Sequence, residues 1–284
     1  MLINVHCHIA AHQDIHEWFA RQHLENADVT VVCGDWDKCE EAIKTLPDRV
    51  IALGMLKDDR DQPELVGQFH DRGFRGLKMI GLRRAYDDPA YYPIYEKAVE
   101  YKMPILFHTG HLMLQPHHRR NVIARHKMDA VRLDTIARAF PELYLIGAHL
   151  GNPRYEDACS IALKHERVYF DLSGGTVRRL PYNRWRQILM TGADDFLRSL
   201  EETLELRVVD KFVFGTDGQT VPILLEFHEN LFRAFSFPTE TRERILWRNV
   251  AKMFGIEEKL EARCRGDSPL QDKSSSGSVE GQGK

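Results

Sequence analysis

Two histidines one residue apart, His6 and His8 in Asn4-Val5-His6-Cys7-His8, have the types and spacing of a chemical site. On an extended strand the side chains i and i+2 point to the same side, so both imidazoles face one place. Imidazole is a common ligand of divalent metals, and two on one face make half of a site. The pair alone is equally consistent with ordinary core or surface histidines. Further ligands brought to the same place by other parts of the chain would decide between the two.

The elements that must bring them are legible as a pattern. Short apolar runs predict strands at Leu2–His8, Val29–Cys33, Val50–Leu56, Phe74–Ile80, Pro104–His108, Leu143–His149, Val168–Leu172 and Lys211–Phe214. Between them lie amphipathic stretches with helical period: Asp35–Leu46, Pro63–Arg72, Pro89–Lys102, Ala130–Phe140 and Arg154–His165. Such alternation argues for βα units around a parallel sheet. Eight units in about 250 residues is the count and size of a (β/α)8 barrel. A doubly wound open sheet is the structural rival.

The residues that close these strands carry the chemistry. Strand one ends in His6 and His8, strand four carries Lys78, and strand five ends in His108. Strand six ends in His149, and strand eight runs out into Asp217. In a barrel these positions share the C-terminal rim, where sites on this fold are built. A capping Asp, a core His or a solvated Lys explains each group singly; their joint placement is harder to explain that way. Glycines stand two residues before three of them: Gly76 before Lys78, Gly147 before His149, Gly215 before Asp217. Missing side chains there predict free space beneath the site; the alternative is that glycine merely eases strand bends.

The loops on that side are basic. Arg83 and Arg84 follow strand four, and Arg178 and Arg179 follow strand seven. The long stretch after strand five holds His111, His117, His118, Arg119, Arg120, Arg125, His126 and Lys127. Arginine pairs well with carboxylates, so Arg119, Arg120, Arg83 and Arg179, together with Lys78, are candidate contacts for a small anionic substrate. Solvated surface charge is the plain alternative for any one of them. His12 and His16, four apart, imitate a helical metal pair and are read as surface residues of the first helix.

Composition bounds the rest. The chain has 284 residues, 43% hydrophobic and 29% charged, which is ordinary for a soluble globular protein. A net charge of −3 provides no general attraction to nucleic acid or to an anionic membrane. No apolar run approaches bilayer length, and Met1-Leu2-Ile3-Asn4 does not resemble a signal peptide. The five cysteines, odd in number and without a C-x-x-C pair, read as reduced thiols of a cytoplasmic protein. From Arg265 to Lys284 only Leu270 and Val279 are aliphatic, which predicts a disordered tail over 263–284 behind one barrel domain at 1–262.

Taken in order, "NVHCHI", "GFRGLKMIG", "ILFHTG", "GAHLG", "FGTDG" and "NVAKMFGI" resemble the amidohydrolase superfamily, in particular its amidohydrolase-related group. That group includes aminocarboxymuconate-semialdehyde decarboxylase, resorcylate-type decarboxylases and pyrone-dicarboxylate lactonase. The resemblance implies a distorted (β/α)8 barrel in which His6, His8, His108 and Asp217 bind one divalent metal, with His149 as the acid/base beside it. Three imidazoles and a carboxylate with an open position describe a catalytic ion, zinc by preference and manganese as the alternative. The resemblance therefore implies a metal-dependent hydrolase of a small carboxylated molecule, with Asp217 taking the proton of the attacking water. Non-oxidative decarboxylation is the alternative. Lys78 occupies the place of the bridging carbamylated lysine of binuclear relatives; one metal is the preferred expectation. A TatD-type nuclease would share His-X-His but needs an acidic ligand where Lys78 stands, and a non-catalytic barrel would have lost ligands that are all present here. A homo-oligomer is compatible with all of this.

Overall fold

The computed structural model describes residues 1–57, 60–112, 125–191 and 208–265. Its centre is an eight-stranded parallel sheet in sequential order: β1 (Ile3–Ile9), β2 (Val29–Gly34), β3 (Val50–Met55), β4 (Gly76–Met79), β5 (Ile105–Phe107), β6 (Leu145–Gly147), β7 (Val168–Asp171) and β8 (Phe212–Val213). The chain just after β8 returns to β1: the Val5 amide donates to Phe214 O at 2.9 Å, and Cys7 bridges Asp217 in parallel. This closure makes the sheet a (β/α)8 barrel and disposes of the open-sheet alternative. Each expected strand is present; β1 is as long as its apolar run, β2 runs one residue further to Gly34, and β3 to β8 are shorter.

Side-chain alternation divides the apolar residues into two bodies. Val29, Val31 and Cys33 of β2, Leu106 of β5, Ile146 of β6, Tyr169 of β7 and Val213 of β8 fill the lumen. The opposite parity, Val32, Leu77, Met79, Ile105, Phe107 and Phe170, packs against the surrounding helices. Each fully buried aliphatic or Phe side chain of this kind contributes about 1.5–3 kcal/mol. The pairing of β1 with β2 shifts register between Asn4 and Cys7. Such an irregularity re-aims side chains, and here Val5 packs in the lumen while His6 still faces the rim.

The bottom of the lumen is plugged by the chain's last helices. Trp247, Val250, Met253, Phe254, Ile256 and Leu260 join the lumen cluster. The last helix spans Glu257–Arg265, beyond the boundary expected at 262, because Arg263 reaches Asp48: 3.0 Å to its carboxylate and 3.1 Å to its carbonyl. Among the described residues no helix is long and apolar enough to cross a membrane.

The space expected beneath the three glycines is filled. A Cβ on Gly76 would lie 2.6 Å from a Leu53 methyl, and one on Gly147 would lie 2.2 Å from the Phe170 ring. One on Gly215 would stand 3.1 Å from the Cβ atoms of both Asp171 and His6. The glycines admit neighbouring side chains instead of leaving a void. Gly147 touches Phe170, which belongs to the helix-facing layer, and His149 lies past the end of β6, so strand alternation does not relate the two.

Candidate metal centre

The rim is built from the ends of β1, β2 and β4 to β8. His6 and His8 lie side by side as the alternation requires, their Nε2 atoms 3.0 Å apart. Asp217 Oδ1 stands 3.5 Å from His6 Nε2 and 3.3 Å from His8 Nε2. Donors about 2.0–2.2 Å from one ion stand about 3.3–3.5 Å apart at tetrahedral angles. The three atoms thus form a triangle of the right size for a face of a coordination sphere. His6 is sealed beneath, while the side chains of His8 and Asp217 are 35% and 36% exposed, so this triangle opens toward solvent.

Each member is held by a second set of contacts. Asp171 Oδ2 lies 2.8 Å from His6 Nδ1. A carboxylate there is served by an Nδ1–H donor, which leaves the Nε2 lone pair for the site. The other Asp171 oxygen accepts the backbone N–H groups of His149 and Ser173, both at 2.9 Å, and the Ser173 hydroxyl at 2.5 Å. Ser173 Oγ in turn lies 2.9 Å from His149 Nδ1. His6, His149 and Asp171 therefore cluster as a hydrogen-bonded support, with Asp171 already satisfied. The Trp18 indole donates to His8 O at 2.8 Å, and Tyr86 donates to His108 O at 2.9 Å. Asn4 stitches β1 to the chain after β8, donating to Thr216 Oγ1 at 2.9 Å and accepting from Thr216 N at 3.0 Å.

The electrostatics favour the ligand-competent forms of His6 and Asp217. Burial, reinforced by the charge of Lys78, lowers the His6 pKa to about 4, so its ring is neutral near pH 7. Burial opposes charge on Asp217 as well, but His8, His6 and His149 outweigh it and hold the carboxyl well below the usual carboxylate range. Asp171 is depressed likewise, chiefly by His6 against its burial. His8 moves the other way. Burial disfavours its charge, yet Cys33 and Asp217 beside it raise it to about 9. His149 and Asp217 have left-handed backbone, φ 61° and 58°, which costs about 1–3 kcal/mol in a non-glycine residue and is typical of functional sites.

The expected residues divide three ways. His6, His8 and Asp217 converge, with His149 Nε2 4.0 Å from Asp217 Oδ2. Lys78 is fully buried, its Nζ 3.2 Å from His6 Nε2, and burial lowers its pKa. His108 reaches the rim with its ring centroid 5.0 Å from that of His149, but its Nε2 contacts His111 O at 3.1 Å. Burial and the neighbouring His149 lower its pKa well below the ordinary value. Arg83 and Arg179 are exposed, as are His12 and His16, and Arg178 is tied to Gln219 beyond Asp217 at 3.1 Å. Arg119 and Arg120 lie outside the described residues. Asp171, Ser173 and Cys33 were not anticipated. The signal for Asp171 was a charged residue at the end of the apolar run Val168-Tyr169-Phe170, sharing the parity of Tyr169.

The sequence matches the family model described as amidohydrolase over residues 4–256. This chain is a member of the amidohydrolase family. The match spans β1 to the end of the plug, so it covers every element that builds the rim of this amidohydrolase. A sequence comparison with curated proteins finds no match. Similar solved structures include 2,6-dihydroxybenzoate decarboxylase from Rhizobium, 17% identical, with 90% of this chain and 99% of that chain covered and a TM-score of 0.61. Another is 5-carboxyvanillate decarboxylase from Novosphingobium aromaticivorans, complexed with manganese and 4-hydroxy-3-methoxy-5-nitrobenzoic acid: 14% identical, 90% and 96% covered, TM-score 0.56. A third is 4-oxalomesaconate hydratase from Rhodopseudomonas palustris: 16% identical, 94% and 100% covered, TM-score 0.57. At these identities the likeness establishes the shared barrel.

Proposed function

We propose that this amidohydrolase is a metal-dependent hydrolase of a small carboxylated lactone, amide or ester. The observation that carries the reading is the triangle of His6 Nε2, His8 Nε2 and Asp217 Oδ1, with His149 at the second Asp217 oxygen. His6, His8 and Asp217 would hold the ion, zinc by the nature of the donors and manganese as the alternative. A divalent ion bound there supplies a Lewis acid for a substrate oxygen and acidifies water.

The protein's own groups do the remaining work. Asp217, held charged by its histidine neighbours, accepts the proton of the attacking water on Oδ2. His149 Nε2, 4.0 Å away, passes that proton to the leaving group, its ring fixed through Nδ1 by Ser173. His108 beside it remains the candidate for a further metal ligand, once its Nε2 leaves His111 O. Arg83, Arg179, Arg119 and Arg120 remain candidate carboxylate contacts, since a net charge of −3 leaves recruitment of an anion to local groups.

A second reading is non-oxidative decarboxylation, favoured by the decarboxylases among the similar structures. The carbon–carboxylate bond breaks, carbon dioxide leaves, and His149 delivers a proton to the carbon. Metal analysis followed by a screen of lactones, amides, esters and carboxylated aromatics separates the two by acid release against carbon dioxide release. His149→Asn should keep the metal and lose turnover. A His6→Ala, His8→Ala double variant that retains its full metal content would sink the site.

A further inference from the structure

At the end of the barrel opposite the metal rim, a cavity of about 500 Å³ opens beside the plug. Its walls are residues that lead into four consecutive strands: Arg75 before β4, Met103 before β5, Tyr144 before β6 and Arg167 before β7. Lys252, Met253 and Phe254 of the plug complete it. Volumes of about 300–1,000 Å³ are those of small-molecule sites. One side of the lining is apolar, with Met103, Leu143, Met253 and Phe254 all buried. The other is cationic: Arg75, Lys102, Arg167 and Lys252 stand there against a single carboxylate, Glu142.

These charges are largely uncompensated. Arg75 donates to Phe254 O at 2.7 Å, and Arg167 donates to Glu142 O and lies 4.9 Å over the Tyr144 ring. Both sets of partners are neutral, so they pin each guanidinium at the cavity without cancelling its charge. The Lys102 side chain has no hydrogen bond or ion pair among the described residues. Lys252 has only a 4.0 Å contact with Glu166, which does not line the cavity. On a chain of net charge −3, four cations to one acid is a local concentration of positive charge.

We propose that this cavity binds a small amphipathic carboxylate, its apolar body against the buried side chains and its charge among the four cations. A carboxylate accepts only, and guanidinium and ammonium groups donate only, so the two are complementary where a neutral ligand leaves the cations without gain. The cavity lies at the far end of the strands that carry Lys78, His108 and His149, so it is a second site, independent of the metal-dependent reading.

Isothermal titration calorimetry of the full-length protein with 2-naphthoate tests this, with 2-naphthamide as the neutral counterpart of the same shape. Naphthoate should bind, and naphthamide should bind roughly tenfold or more weakly. The His6→Ala, His8→Ala variant should keep the naphthoate site, because the rim does not form it. A triple variant, Lys102→Gln, Arg167→Gln and Lys252→Gln, should weaken naphthoate roughly tenfold or more while leaving Arg75 on the plug. Val99→Trp, at a half-buried position of the wall, should fill the cavity and abolish binding. Melting curves establish that each variant is folded; if Val99→Trp is not, the triple variant decides alone. No naphthoate binding to the wild-type protein overturns the proposal, as does equal binding of naphthamide. Binding lost in His6→Ala, His8→Ala places the ligand at the rim and overturns it, and binding unchanged in the triple variant removes the role of the cations and overturns it too.

Discussion

Asp171 is where three parts of the rim meet, because one carboxylate takes His6 Nδ1, the His149 amide and Ser173 at once. Asp171→Asn keeps the shape but can no longer accept at every one of these contacts. Partners of this kind behind metal-binding histidines are commonly worth 10–100-fold in affinity. A chelator-competition titration of zinc should show a loss of about that size, and an unchanged affinity would mean that Asp171 does not orient His6. His228 offers a second test, away from the rim. It is fully buried between Phe214, Phe227 and Phe232, its Nδ1 is 2.8 Å from Leu224 O, and its Nε2 has no hydrogen-bond partner among the described residues. Burial lowers its pKa from 6.5 to about 4. The folded state then binds fewer protons than the unfolded state between those values, so stability is complete above pH 6.5 and falls as pH drops toward 4. Linkage makes this worth roughly 3 kcal/mol at most. In His228→Phe the melting temperature relative to wild type should rise as pH falls from 7 to 4.5; a gap that stays constant with pH would show that His228 is not held neutral.

At the scale of elements, the site depends on β1 meeting the chain after β8, since these two segments carry His6, His8 and Asp217. Asn4 makes that join with both ends of its amide. Asn4→Ala leaves the buried Thr216 N–H without its acceptor, a loss of about 1–3 kcal/mol. For a chain of this size that is a fall of several degrees in melting temperature. Zinc affinity should fall with it, because Asp217 follows Thr216 directly. A variant that melts at the wild-type temperature would place the closure of the barrel elsewhere.

At the scale of the whole molecule, the helices that end at Arg265 close the lumen. Ile256 and Leu260 close the lumen at 9% and 2% exposure. A chain ended at Arg265 should melt within about a degree of the full-length protein. One ended at Phe254 loses both buried aliphatics, about 3–6 kcal/mol together, along with the Arg263 contacts to Asp48. Differential scanning calorimetry of the two truncations distinguishes these outcomes, and a large loss at Arg265 would show that the remaining residues dock.

The order of eight strands, their parallel sense and the pairing of His6 with His8 were legible in the sequence, because burial on both faces of a strand produces a continuous apolar run and alternation is a local property. The convergence of Lys78, His149 and Asp217 on one rim followed from those runs, since a barrel brings every strand's end to one edge. What alternation could not supply was the space between strands. The glycine pattern was read as a void, but Leu53, Phe170, Asp171 and His6 enter from neighbouring strands, whose register no local pattern specifies. Register also brought Cys33 beside His8, and the left-handed backbone at His149 and Asp217 aimed side chains that a regular strand would have sent elsewhere. Which donor atoms come within reach of one ion is a matter of tenths of an ångström between segments distant in the chain, and only the closed barrel determines that.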